Sequence, residues 1–407
     1  YELILSELEN MTKSVYGAIL KGNGLTAVNT SSFARNEWVK HDEKWNYVSV
    51  PPMGYSVVSD TSAHEVSVYA AERVLSNGIL KVTFNTDGTI SSVTDISTGR
   101  EYISGDSNIL EIYEDDGDAW DFNILTRDFA HNRASLADSE FYTDGPAAVC
   151  KNTYVSGNSE ITQKVVITAD SRRIDFVTEV DWKETHKMLR ASFAANVITD
   201  YVTCDIQFGS IRRSNNNNTM LDTAQHEICA HKWIDLSQSD FGVSLLNNCK
   251  YGFNVKGNIM DINLLRSPVW PGENADKAVH GFTYSLFPHE GSLNESDTAA
   301  EGYKLNMPVR CIDALPETES FSLLSTDKRN IVIETIKYAE DNDDIIIRAY
   351  ENCGSSVSAA FTAAFEIESA AVTDMMEQNP QQIQFSVNSF RLDFKPFEIN
   401  TIRIKRK

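Results

Sequence analysis

Gly78-Ile79-Leu80-Lys81-Val82-Thr83-Phe84, followed by Asn85-Thr86-Asp87-Gly88 and then Ile90-Ser91-Ser92-Val93-Thr94-Asp95, reads as a β-hairpin. Leu80, Val82 and Phe84 alternate with Lys81 and Thr83, so an extended strand here has one apolar and one wet face. Asp87-Gly88 supplies residues suited to a tight turn, and Ser97-Thr98-Gly99 ends the returning strand. Moving outward, similar strands are predicted at 108–113, 164–168, 173–182, 189–197, 203–208, 242–247 and 259–265. Short strands at this spacing, with few helices between them, predict an antiparallel sandwich. We read residues 66–307 as one such sandwich, unusually large for its dozen or more strands.

The flanks differ. Pro308 opens a last region, 308–407, where Phe321-Ser322-Leu323-Leu324 and the stretches 331–335, 344–350, 359–365 and 394–405 predict a second, ordinary sandwich. On the other side, 45–50 alternates before the stiff Pro51-Pro52-Met53-Gly54 turn and Tyr55-Ser56-Val57-Val58. Residues 23–65 are therefore read as a small β-domain, closed by the polar run 59–65. Tyr1, Ile4, Leu8, Met11, Val15 and Ala18 recur at three- and four-residue steps, with Leu5 and Ile19 widening the stripe. That period predicts an amphipathic helix ending at Gly22-Asn23-Gly24, giving a helical segment 1–22. No capping residue precedes its first apolar position, which predicts further sequence upstream.

The 407 residues carry 58 acidic and 36 basic side chains, a net charge of −22. A field of that sign repels phosphate backbones and polyanionic membrane surfaces, so neither nucleic acid nor membrane is an expected partner. No run approaches a transmembrane span. Six cysteines (Cys150, Cys204, Cys229, Cys249, Cys311, Cys353) are scattered without a Cys-x-x-Cys pair, which predicts buried thiols in a reducing compartment. The triplets Asn29-Thr30-Ser31, Asn217-Asn218-Thr219 and Asn294-Glu295-Ser296 match the glycosylation pattern and are read as unused.

Familiar catalytic signatures are missing. There is no His-x-His, His-Glu-x-x-His, Gly-x-Ser-x-Gly or phosphate-binding glycine loop, and His226 and His231 fall on opposite faces of any strand holding both. The most sugar-like stretch is Glu114-Asp115-Asp116-Gly117-Asp118-Ala119-Trp120-Asp121-Phe122. Carboxylates accept from vicinal hydroxyls and an indole stacks on the C–H face of a sugar ring, so Asp118, Trp120 and Asp121 are candidate binding residues. An acidic surface loop anchored by a half-buried Trp120 is the plainer alternative. Arg266, in Leu264-Leu265-Arg266-Ser267-Pro268-Val269-Trp270-Pro271, sits at a strand end before a stiffened loop and is a further candidate. His231, in Ala230-His231-Lys232-Trp233, is another, either lining a groove or sharing a packed face with Trp233. In Gln207-Phe208-Gly209-Ser210-Ile211-Arg212-Arg213, Phe208 and Ile211 are expected in the core.

Taken in order, these segments resemble glycoside hydrolase family 38, the zinc-dependent α-mannosidases, in its bacterial and cytosolic form. The resemblance runs from 78–84 with Asp87-Gly88 through 113–122 to Asp181-Trp182-Lys183-Glu184-Thr185-His186-Lys187-Met188-Leu189-Arg190 and 207–213. It continues through 222–233, 242–252, 264–268, His280-Gly281-Phe282-Thr283-Tyr284 and Phe287-Pro288-His289 to Lys395-Pro396-Phe397-Glu398-Ile399. It spans nearly the whole chain, and no single motif carries it.

The resemblance implies a mainly β fold. It has a large antiparallel, galactose-mutarotase-like β-supersandwich flanked by smaller β-sandwich domains, and a short N-terminal helix left from a helical bundle. It also implies retaining hydrolysis of α-mannosides, with a pair of carboxylates about 5 Å apart and a zinc ion that orients the sugar. The family's aspartate nucleophile, acid catalyst and zinc ligands lie upstream of the bundle, so no catalytic or metal-binding residue is expected in this chain. The expected partners are an α-mannoside and the catalytic domain, with a homo-oligomer possible and a cytoplasmic location. In the family the large β-domain lends loops to the active-site rim, and here the matching loop is 118–122. Met220-Leu221 and Gln225-His226 replace the family's aromatic and basic residues around Asn218-Thr219, which argues against a substrate contact there. Two other functions fit the composition: a free-standing carbohydrate-binding module, and a sugar epimerase whose His and Glu converge on one concave face.

Overall fold

The computed structural model describes residues 2–59, 66–121, 123, 126 and 131–407. Phe122 of the acidic loop, Tyr1 of the helical stripe and the boundary run 60–65 lie outside the described residues. The fold is mainly β and antiparallel, in two compact units: 65–306, and 1–64 with 307–407.

The larger unit packs a six-stranded against a nine-stranded antiparallel sheet, with a four-stranded meander that includes Leu80–Phe84 and Ile90–Asp95. Inward positions alternate as the pleat requires: Ile161, Val165 and Ile167 are buried while Glu160 and Lys164 face out. Phe193 from the six-stranded sheet meets Phe176 and Tyr284 from the nine-stranded one, the last two stacked at 4.9 Å. Each such ring contributes about 3–5 kcal/mol when fully buried. One polar ring lies inside this core. Asn108 Nδ2 donates to Gln163 (2.7 Å), Gln163 Nε2 to Tyr284 (2.8 Å) and Tyr284 Oη back to Asn108 (2.8 Å). A closed ring of this kind leaves no donor orphaned and ties the two sheets to one register.

Phe241–Asn247 is buried on both faces because helix Thr298–Asn306 packs over its outer side. Gly302 makes that approach possible, since a β-carbon there would lie 2.9 Å from the Trp233 ring. Ser135–Asp144 escapes the sequence pattern because it is a polar edge strand, mostly exposed, paired among the described residues only with Ala147–Ser156. Ile211 is 41% exposed and Phe208 turns a hairpin at φ 57°, so neither is the core residue expected.

The second unit begins with helix Glu2–Ile19, whose apolar stripe is largely open: Leu3 is 72%, Leu8 53% and Met11 65% exposed. A small sheet follows in the order Arg310–Ile312, Thr26–Asn29, Gly54–Val57, Ser320–Ser322. Its outer strands come from the last region, so Phe321-Ser322 belong here and not to the C-terminal sandwich. Gly54 is obligatory, because a β-carbon would sit 1.8 Å from the Phe321 carbonyl oxygen. The sandwich proper packs a three- and a five-stranded sheet around Ile347, Phe361, Phe390, Phe394 and Ile402. The strand expected over 394–405 is two strands, Ser389–Phe394 and Ile399–Arg406. Pro396 cannot donate to a ladder and Phe397 takes φ 57°, so the chain turns at 395–398. Buried Glu351 braces that turn, accepting from the N–H groups of Cys353, Gly354, Ser355 and Phe397 at 2.7–3.1 Å.

Cys150 and Cys204 are buried, and burial pushes both thiols up to about 12. Cys229 and Cys249 are exposed, against the expectation of buried thiols throughout: Cys229 ends the two-residue strand Ile228–Cys229, and Cys249 lies in the turn between Phe241–Asn247 and Gly252–Lys256. Asn29 is buried and its amide donates to the carbonyls of Phe33 and Pro51, so the first glycosylation triplet is closed to modification. Among the described residues no helix is long and apolar enough to cross a membrane.

Candidate functional site

Three neighbouring strands of the six-stranded sheet, Ile109–Glu114, Lys187–Ala194 and Ile259–Arg266, end together. Met188 pairs with Tyr113 on one side and with Arg266 on the other. This register brings the acidic loop after Glu114, the turn before Lys187 and the loop after Arg266 to one edge. Cross-loop bonds lock them: Asp115 N–H to His186 O and His186 N–H to Ser267 O, both 2.9 Å, and Ser267 N–H to Lys187 O at 3.0 Å.

Arg266 is the centre of the arrangement. Its Nε donates to Asp115 Oδ2 at 2.6 Å, and its Nη2 to Asp115 Oδ1 at 3.1 Å and to the Asp121 carbonyl at 2.5 Å. Asp115 is fully buried, so this fork neutralises a charge that water cannot reach. Gly117 lets the loop fold over the guanidinium, because a β-carbon would lie 2.7 Å from Arg266 Nη2. Asp118 Oδ1 accepts from the N–H groups of Trp120 and Asp121, both at 2.8 Å. Those bonds, the Asp121 one foremost, hold its carboxyl below the usual carboxylate range, aided by the Arg266 charge. Asp118 is thus an ionised turn former, unsuited to act as a general acid.

The result is a fixed loop that presents Trp120, 71% exposed and not half-buried. Trp270, 63% exposed, is tied to the same loop by a 2.9 Å bond from Ala119 N–H to its carbonyl. Asp118, Trp120, Asp121 and Arg266 therefore gather in one place, although Asp121 is bound through its carbonyl and Arg266 points inward. The residues that sequence reasoning passed over are Asp115, Gly117, His186 and Trp270. All four lay within the quoted stretches, but only the fold distinguishes the clamp from the platform.

His231 stands apart. It follows Ile228–Cys229, two strands over from Ile259–Arg266 in the sheet, roughly 10 Å at ordinary strand spacing. Its ring meets Gln207 Nε2 at 3.1 Å and lies 5.6 Å from the Tyr251 ring, and its carbonyl accepts from Asn247. Trp233 is buried, so the two do not share a packed face.

Two further polar clusters do structural work. Buried Arg190 is shared between Asp261 and Glu227. His289 Nε2 meets Asp235 at 2.9 Å while Ser237 and Ser244 donate to the same carboxylate. A nucleophilic triad needs the imidazole to take the serine proton through its second nitrogen, and here the serine donates to the aspartate.

Residues 75–274 match the model described as "Glycosyl hydrolases family 38 C-terminal domain", and 330–402 match "Glycosyl hydrolases family 38 C-terminal beta sandwich domain". Alpha-mannosidase 2C1 of Mus musculus is 32% identical over 99% of this chain, which spans 42% of that protein's length. Alpha-mannosidase G of Dictyostelium discoideum is 32% identical over 88% of the chain and 36% of its own length. In fold, the chain resembles an alpha-mannosidase from Enterococcus faecalis V583, with TM-score 0.73 and 14% identity, over 94% of this chain and 51% of that one.

Proposed function

The chain belongs to glycosyl hydrolase family 38, and from that premise we propose that it forms the β-rich part of a zinc-dependent α-mannosidase, with the catalytic centre outside these residues. The proposed reaction is retaining hydrolysis of terminal α-mannosyl residues, carried out in the cytoplasm. The nucleophile, the acid and the zinc ligands belong to the catalytic domain. This chain contributes scaffold and a substrate rim, and the open stripe of helix Glu2–Ile19 is the face on which neighbouring bundle helices would pack.

The observation that carries the rim assignment is Trp120, an open indole on a loop held by the Asp115–Arg266 fork. An aromatic face fixed before the sugar arrives loses little entropy on binding, and its apolar surface suits the C–H face of a pyranose. Asp118 and Arg266 act through the loop's shape. Trp120→Ala in the intact enzyme is expected to lower kcat/KM for an α-mannoside about fivefold, roughly 1 kcal/mol, mainly through KM. Unchanged kinetics would remove Trp120 from the rim.

The two open indoles on linked loops also support a second reading, a carbohydrate-binding module without hydrolase activity. Saturable binding of mannosides by this chain alone, abolished in a Trp120→Ala, Trp270→Ala variant, would favour it.

A further inference from the structure

The hairpin Arg35–His41 and Lys44–Val50 turns through Asp42 and Glu43, both at positive φ (45° and 63°), which sets His41 and Asp42 at its tip. Strand Arg310–Ile312, paired with Thr26–Asn29 in the same compact unit, delivers Asp313 to that tip. His41 Nε2 lies 3.1 Å from each Asp313 carboxylate oxygen and 3.8 Å from Asp42 Oδ2. One ligand atom from each residue falls within 4.8 Å of the others. Bond lengths of about 2.0–2.1 Å to nitrogen and oxygen place neighbouring ligand atoms roughly 3.3 Å apart in a tetrahedral shell and about 2.9 Å apart in an octahedral one. The 3.1 Å spacing of His41 and Asp313 falls in that range, while Asp42, at 3.8 Å from His41, must draw in by about half an ångström to share the ion.

Charge points the same way. The ion pairs of Asp42 and Asp313 both run to His41, while Lys40 is turned to Glu43 at 2.9 Å. Two carboxylates and one imidazole leave an uncompensated negative site on a chain already at −22. Asp42 and Asp313 are 86% and 72% exposed, so water can complete the coordination shell.

We propose that His41, Asp42 and Asp313 bind a divalent transition-metal ion, zinc foremost, which clips the hairpin tip to the strand entering the last region. The imidazole selects against calcium and magnesium, and the absence of thiolate from the set admits manganese, cobalt and nickel as surrogates. Sequence reading missed the group because 272 residues separate His41 from Asp313. The site stands independently of the mannosidase reading.

The test is calorimetric titration of zinc into the chelator-stripped chain with its free thiols alkylated, beside His41→Ala, Asp42→Asn, Asp313→Asn and a Glu43→Gln control. The expected result is one zinc per chain, with affinity reduced about 100-fold or more in the three ligand variants and unchanged in the control. The exposed Asp42→Asn change leaves the fold intact, which circular dichroism checks. No saturable binding by the unaltered chain would overturn the proposal. So would binding that persists in Asp42→Asn and Asp313→Asn, since the zinc would then sit elsewhere.

Discussion

Arg266 shows how far a residue can be read before its neighbours are known. An arginine at a strand end before a Pro-stiffened loop suggested a ligand contact, yet its fork is filled by buried Asp115 and the Asp121 carbonyl. Arg266→Ala strands the Asp115 charge, so urea unfolding of the chain should register a loss of about 3 kcal/mol. A loss under 1 kcal/mol would mean that water already solvates Asp115. Glu351 was invisible in sequence because its partners are backbone N–H groups. Burial pushes its carboxyl up, but the N–H groups of Phe397, Cys353 and Ser355 and the Asn330 amide outweigh that and hold it below the usual range. The sign follows: its contribution is complete above the unfolded value near pH 4.3 and is lost as pH falls through the lower folded value. The chain should therefore lose stability below about pH 4, and Glu351→Gln should flatten that limb of a denaturation-versus-pH curve.

At the scale of elements, period and alternation located most strands, because sheets with one wet face write their register into the sequence. Ile90–Asp95 was read to the residue. The failures have two causes. Ser135–Asp144 is a mostly exposed edge strand whose two core-facing residues, Leu136 and Phe141, are thrown out of simple alternation by a bulge, and the last strand looked continuous across Pro396 because apolar residues flank the turn. Helix Glu2–Ile19 was legible from its stripe, but a stripe does not say what covers it. Replacing Leu8 and Met11 by lysine should change the stability of this chain by no more than about 0.5 kcal/mol, since both are over half exposed. The same pair should markedly destabilise the intact enzyme, in which we expect neighbouring helices to cover the stripe. Equal melting shifts in the two proteins would contradict that expectation.

For the molecule as a whole, fold class and family were legible, and so were most residues of the site, whereas the way they are joined was not. The acidic loop and the Arg266 segment are 151 residues apart at Asp115 and Arg266, and only the register of three adjacent strands joins them. We propose that this chain is a scaffold and rim and that the reacting carboxylates lie elsewhere. The most direct test is incubation of the isolated chain with zinc and an aryl α-mannoside, measured against the intact enzyme under the same conditions. We expect aryl alcohol release by the intact enzyme and none above the buffer rate by the chain alone. Turnover by the isolated chain, abolished by a substitution within it, would contradict the account and place a catalytic centre among these residues.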